Sequence, residues 1–185
     1  VWLDQNEGAF ATGLPPRVRV LCASSNKFTE LASFEHLRAL EVLDVSGNEL
    51  ASLAPFAALR SLRELRADHN RIASLAGVER LERLRTLSVA HNALQGTLDL
   101  GRTHWGALEQ LHLAHNALTH VHALGALSTS LHTLDVESNA LRTLGAERVM
   151  HALAVVRVSG NTALCELGVD LYPALRTLYA DACAL

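Results

Sequence analysis

An asparagine returns along this chain at nearly constant intervals: Asn26, Asn48, Asn70, Asn92, Asn116, Asn139 and Asn161. The steps are 22, 22, 22, 24, 23 and 22 residues, and a further 22 lands on Cys183. Each asparagine closes the same frame, L-x-x-L-x-L-x-x-N-x-L, written in one unit as Leu40, Leu43, Val45, Asn48 and Leu50. A unit this short cannot bury its apolar face alone, so successive units must stack on one another. The chain is thereby committed to an elongated coil with a continuous core. Such a coil presents an extended surface rather than a deep catalytic pocket.

Within the frame, L-x-L alternates with period two, so Leu43 and Val45 point inward while Val42, Asp44 and Ser46 point outward. This predicts one short strand per unit, centred on Leu21, Leu43, Leu65, Leu87, Leu111, Leu134, Val156 and Leu178. Stacked, the strands make a parallel sheet along a concave face, in an α/β fold class and a right-handed solenoid. The asparagine turns the chain away from the sheet, and its amide satisfies buried backbone groups there. The return path carries apolar residues at every third position: Leu50, Leu53, Phe56, Leu59, then Ile72, Leu75, Val78, Leu81. That spacing suits 3₁₀ turns better than an α-helix, so mostly 3₁₀ turns are expected on the convex side. Two segments depart from the rule. Gln95 to Trp105 is longer and reads as an irregular excursion with a small extra strand, its Trp105 filling the wider unit. Glu147 to Leu153 reads as a helical turn.

One domain spans 1–185, with about eight units from residue 18 onward. A partial unit at the start places Val1, Leu3 and Asn6 in register. Half the residues are apolar but only 4% are aromatic, so the core is aliphatic. A net charge of −3 leaves no electrostatic footprint for nucleic acid or an anionic membrane. No apolar run reaches the length of a membrane-spanning helix. Cys22, Cys165 and Cys183 form no C-x-x-C pair, and no repeat asparagine opens an N-x-[ST] sequon, which favours a reducing, intracellular compartment. The chain starts at Val1 without a methionine or signal peptide and stops at Leu185, the eleventh position of a repeat, as expected of a piece cut from a longer protein.

The frame and its period resemble the leucine-rich repeats of the 22-residue subclass named for a regulatory subunit of protein phosphatase 1. Three segments resemble, more finely, the fungal spindle pole body scaffolds that organise septation initiation and mitotic exit. They are Leu62-Arg-Glu-Leu-Arg-Ala-Asp-His-Asn70, Gly96-Thr-Leu-Asp-Leu100 and Tyr172-Pro-Ala-Leu-Arg-Thr-Leu-Tyr-Ala-Asp181. Cys183 departs from that pattern, where asparagine is the commoner residue. The resemblance implies a non-enzymatic scaffold in the cytoplasm or cytoskeleton, at the spindle pole body, gathering GTPase and kinase signalling components. A phosphatase regulatory subunit and a ligand-sensing receptor domain are the competing functions.

No nucleophile motif, H-E-x-x-H, P-loop or dinucleotide fingerprint is present, so no catalytic residue or cofactor is expected. His69, His91 and His115 share the eighth frame position and form a column, with His112 close by; they read as solvent-facing turn residues rather than metal ligands. On the concave face Asp44 neighbours Arg66, Glu41 neighbours Arg63, and Asp135 neighbours Arg157, which suggests cross-strand charge pairs. Tyr179 adds an aromatic to the fifth-position column. The surface expected to bind a protein partner is therefore Arg66, Asp68, His69, His112, Asp135, Arg157 and Tyr179.

Overall fold

In the computed structural model, residues 1–2, 13–30 and 34–185 are described. Eight parallel strands form one sheet: Val20–Cys22, Val42–Asp44, Glu64–Arg66, Thr86–Ser88, Gln110–His112, Thr133–Asp135, Val155–Arg157 and Thr177–Tyr179. All eight are centred where the frame puts them. The register is constant, with each central residue opposite its equivalent, from Leu21 against Leu43 to Val156 against Leu178. At the start, Trp2 bridges Cys22 in parallel, while Cys22 N–H donates to Val1 O at 2.9 Å. Val1 thus takes the partial-unit register; Leu3 and Asn6 lie outside the described residues.

The return segments show why a three-residue spacing works. Phe56, Leu59 and Leu62 each donate their N–H to the carbonyl three residues back, at 3.0 Å, and Val78, Leu81 and Leu84 do the same at 3.0–3.2 Å. Each residue that buries its side chain therefore also carries the hydrogen bond that tightens the turn. Proper 3₁₀ helices appear at Ala54–Phe56, Leu100–Arg102, Leu124–Leu127 and Val169–Leu171. Gly77 marks a contact that no side chain fits. Its φ is +103°, and a Cβ there would stand 2.6 Å from Ala54 Cα in the preceding turn.

The long fourth unit does carry an extra strand, Gln95–Asp99, paired in parallel with Ala117–His122. Trp105 fills it, 1% exposed, its indole N–H donating to Val78 O at 2.8 Å. Glu147 to Leu153 is not helical; it forms bends. Its polar groups are committed across the coil instead. Met150 N–H donates to Leu171 O at 2.7 Å, and the Glu147 carboxylate accepts from Ala123 and Gly125 N–H at 2.9 and 3.3 Å. Met150 and Leu153 are buried in the core while Glu147, Arg148 and Val149 remain exposed, a spacing that a helical turn would also satisfy, so the cross-turn hydrogen bonds set the backbone here.

Candidate protein-interaction surface

The sheet's outer face is built from columns, and the asparagine ladder fixes their phase. In each interior turn the Asn amide nitrogen donates to the sixth-position carbonyl of the preceding turn. Asn48 reaches Ala23 O at 3.0 Å, Asn92 reaches Ala67 O at 2.9 Å and Asn161 reaches Val136 O at 2.9 Å. Its oxygen accepts an N–H from that preceding turn: Phe28 for Asn48, Ile72 for Asn92, Leu141 for Asn161. One side chain therefore closes its own turn and sutures it to its neighbour. Cys183 keeps the donor half of the arrangement, with Sγ 3.3 Å from Val158 O.

The residue before each asparagine is forced into the left-handed region. Ser25, Gly47, His69, His91, His115, Ser138, Gly160 and Ala182 all have φ between 51° and 76°. In the interior turns the N–H at this position donates to the seventh-position carbonyl of the following turn, as His69 does to Ala90 O and His91 to Ala114 O, both at 2.9 Å, and Ala182 in the last turn keeps the same φ without that bond. Identical backbone geometry then projects identical side chains in one direction. His69, His91 and His115 stack face to face, with centroids 4.1 and 4.0 Å apart and planes within 12°. Rings this parallel aim their nitrogens side by side rather than at a common point. They are exposed turn residues, and among the described residues no cluster of His, Cys, Asp or Glu has the convergence a metal ion requires. The fixed backbone and ring contact were not apparent from spacing alone; the repeated histidine was their only signal.

The fifth-position column runs in register from Cys22 through Asp44, Arg66, Ser88, His112, Asp135 and Arg157 to Tyr179. It thus brings together five of the seven residues singled out by sequence. Glu41 does pair across strands, 3.9 Å from Arg63 and 3.6 Å from Arg19. The other two expected pairs are neighbours that bond elsewhere. Arg66 turns along its own strand to Glu64 at 2.7 Å, while Asp44 accepts from Ser46 N–H at 2.9 Å. A carboxylate two residues away on the same face, or a turn N–H, is simply nearer than the cross-strand partner.

Asp135 takes His112 at 3.7 Å instead of Arg157. Burial pushes its carboxyl up, but His112, the Glu137 N–H and the charge of Arg157 hold it below the usual carboxylate range. Arg157 lies over the Tyr179 ring, 5.1 Å from its centroid. Tyr179 is 43% exposed. Asp68 and His69 stand apart from this column, at the edge where the chain leaves the sheet. The Asp68 carboxylate accepts from Ser88 Oγ at 2.6 Å and Ala90 N–H at 2.7 Å, so it serves the scaffold first.

Two family models described as leucine-rich repeat match residues 16–72 and 127–150. Together with the parallel sheet and asparagine ladder, this decides the architecture. The fold is that of a leucine-rich repeat solenoid. Among solved structures, a leucine-rich repeat protein of Leptospira interrogans covers 100% of this chain at 21% identity and TM-score 0.81, over 55% of its own length. An internalin of Listeria monocytogenes covers 81% at 18% identity and TM-score 0.67, over 47% of its length. The leucine-rich repeat domain of APL1B covers 91% at 23% identity and TM-score 0.70, over 49% of its length. At these identities the likeness is one of fold, and the chain spans about half the length of each. No curated protein matches the sequence significantly. Leucine-rich repeat domains typically serve as protein-interaction scaffolds, and the extended sheet face is the geometry that suits them.

Proposed function

We propose that this solenoid is a non-enzymatic scaffold whose concave sheet face binds a protein partner through Arg66, Asp68, His69, His112, Asp135, Arg157 and Tyr179. The observation that carries the reading is the in-register fifth-position column, which sets cationic, anionic and aromatic groups at strand spacing on a rigid support. Mixed charge gives a protein partner its register and orientation. The exposed Tyr179 ring, braced by Arg157, supplies the aromatic anchor that interface hot spots favour. Arg66 and Arg157 are the discriminating positions, since both project from the sheet without supporting the core.

The finer placement at a spindle pole body, and the intracellular setting it entails, is supported by the resemblance of the Leu62–Asn70 and Tyr172–Asp181 segments. GTPase and kinase components of septation and mitotic-exit signalling are therefore the partners to try first, with a protein phosphatase as the alternative. With a binding component in hand, Arg66→Glu/Arg157→Glu is expected to weaken the complex at least about tenfold, while circular dichroism shows an intact fold. Unchanged affinity would remove the concave face from consideration.

A further inference from the structure

The rim where the return segments lead into the strands carries a second feature, unrelated to the sheet columns. Arg60, Ser61, Arg80, Glu82, Arg83 and His104 line a depression of about 640 Å³. It adjoins another of about 700 Å³ through shared Arg60, Arg80 and His104, and this second one adds Arg102. The two form one groove across successive turns. All four arginines and His104 are exposed, yet among the described residues none of the four guanidinium groups pairs with a carboxylate. The contrast with the sheet face is direct, since there Arg63, Arg66 and Arg85 are paired with Glu41, Glu64 and Glu109.

The groove's own acids are partly spent. Glu79 accepts from Gly77 N–H at 2.6 Å, and Asp99 accepts from Gly101 N–H at 3.0 Å. Arg60 is held in place by donating to Arg80 O at 2.6 Å, which spares some of the entropy that ordering a long side chain would cost. Trp105, locked to Val78 O, also lines the wall, and His104 is tied by its N–H to Glu79 O at 2.7 Å. The result is a row of exposed guanidinium groups, Arg60 among them anchored, on a chain whose net charge is −3.

We propose that this groove docks a short acidic peptide segment of a protein partner, carboxylates pairing with Arg60, Arg80 and Arg83. A guanidinium group offers a planar fork to a carboxylate. From Arg60, through Arg80 and Arg83 on the next turn, to Arg102 on the third, about 4.8 Å per turn gives the row a span on the order of 10 Å, which an extended peptide of about three to four residues covers. A nucleic-acid duplex is the poorer match, because the rest of the chain repels a long polyanion. This surface is separate from the concave face and stands or falls independently of it.

The test is titration of the intact chain with a hexaglutamate peptide at low salt, followed by isothermal calorimetry. Saturable binding is expected, weakened at least about tenfold by Arg80→Glu/Arg83→Glu and unchanged by Arg66→Glu/Arg157→Glu. The two double variants alter net charge identically, so only location distinguishes them, and thermal melts verify that both fold. Absence of saturable binding, equal loss in both variants, or tighter binding of a single-stranded oligonucleotide of matched charge would overturn the proposal.

Discussion

The interior turns and the last turn obey the same frame, yet they are held with different strength. In the fourth-position column Leu21, Leu43, Leu65, Leu87, Leu111, Leu134 and Val156 are 0% exposed, whereas Leu178 is 42% exposed. In the ninth-position column Asn161 makes three bonds of 2.7–3.0 Å, two as donor and one as acceptor. Cys183, one turn later, has a single weak S–H donor facing two carbonyls at 3.3 and 3.7 Å. The frame specifies where a residue sits, but the stabilisation it contributes depends on having a neighbour on both sides.

The largest effect should come from the core column. Leu111→Ala, between two complete turns, is expected to cost about 2–5 kcal/mol. Leu178→Ala should cost about 1 kcal/mol or less, because a side chain already in contact with water loses less on truncation. Urea denaturation of the two variants measures the difference; equal losses would mean that the last turn is as tightly coupled as the middle ones.

Next comes the ladder. Asn161→Ala leaves Leu141 N–H unpaired and takes one donor each from Val136 O and Val158 O, which keep Asn139 Nδ2 and the weak Cys183 thiol, and about 1–3 kcal/mol should be lost. Cys183→Ala should cost a few tenths of that, while Cys183→Asn, which replaces a weak donor by a stronger one and adds the amide acceptor, should raise stability by roughly 0.5–1 kcal/mol. A destabilised Cys183→Asn would show that the end of the coil cannot seat the amide. Smaller still is Tyr172→Phe. The Tyr172 hydroxyl is buried with no hydrogen-bond partner among the described residues, and burial together with the nearby Glu147 charge pushes its pKa up to about 12. Removing the hydroxyl should leave stability unchanged or gain up to about 1 kcal/mol; a clear loss would reveal a partner for it.

The smallest effect is pH-dependent and belongs to the interior. Desolvation, then the neighbouring His115 and His69 rings, hold the His91 pKa below 6.5 against the pull of Asp68. The unfolded chain therefore binds the proton more readily than the folded one. Its contribution to stability is intact above pH 6.5 and lost as pH falls from there toward the folded-state value. Denaturation midpoints at pH 7.5 and 5.5, compared between the parent and His91→Gln, should show a shallower acid loss in the variant. An identical pH slope would mean that the stack does not perturb the ring.

Much of this was legible in the residues themselves. Period two inside L-x-L and period three along Leu50, Leu53, Phe56 and Leu59 correspond to a backbone pattern repeated in every turn, so the strand centres and the buried Trp105 followed directly. The charged side chains were less so. Whether Arg66 meets Asp44 or Glu64 depends on torsions that several nearby carboxylates compete to set, and a column assignment carries no information about them. Glu147 misled for a related reason. Helix-compatible spacing from Glu147 to Leu153 was outweighed by backbone donors and a carboxylate already engaged by adjacent turns. The groove around Arg60, Arg80, Arg83 and Arg102 escaped notice because its residues come from three different return segments, whose lateral alignment emerges only once the turns are stacked.

The imidazole rings of His69, His91 and His115 stand 4.1 and 4.0 Å apart, closer than the about 4.8 Å between the strands that carry them. Flat rings already in contact resist being driven together, and the rings themselves offer no comparable resistance to parting. They form a mechanical stop along one edge of the coil, stiff against closing and compliant toward opening. Across those turns the solenoid bends more easily in one direction than the other. A partner that tightens its hold by flexing the coil must flex it away from the histidine edge.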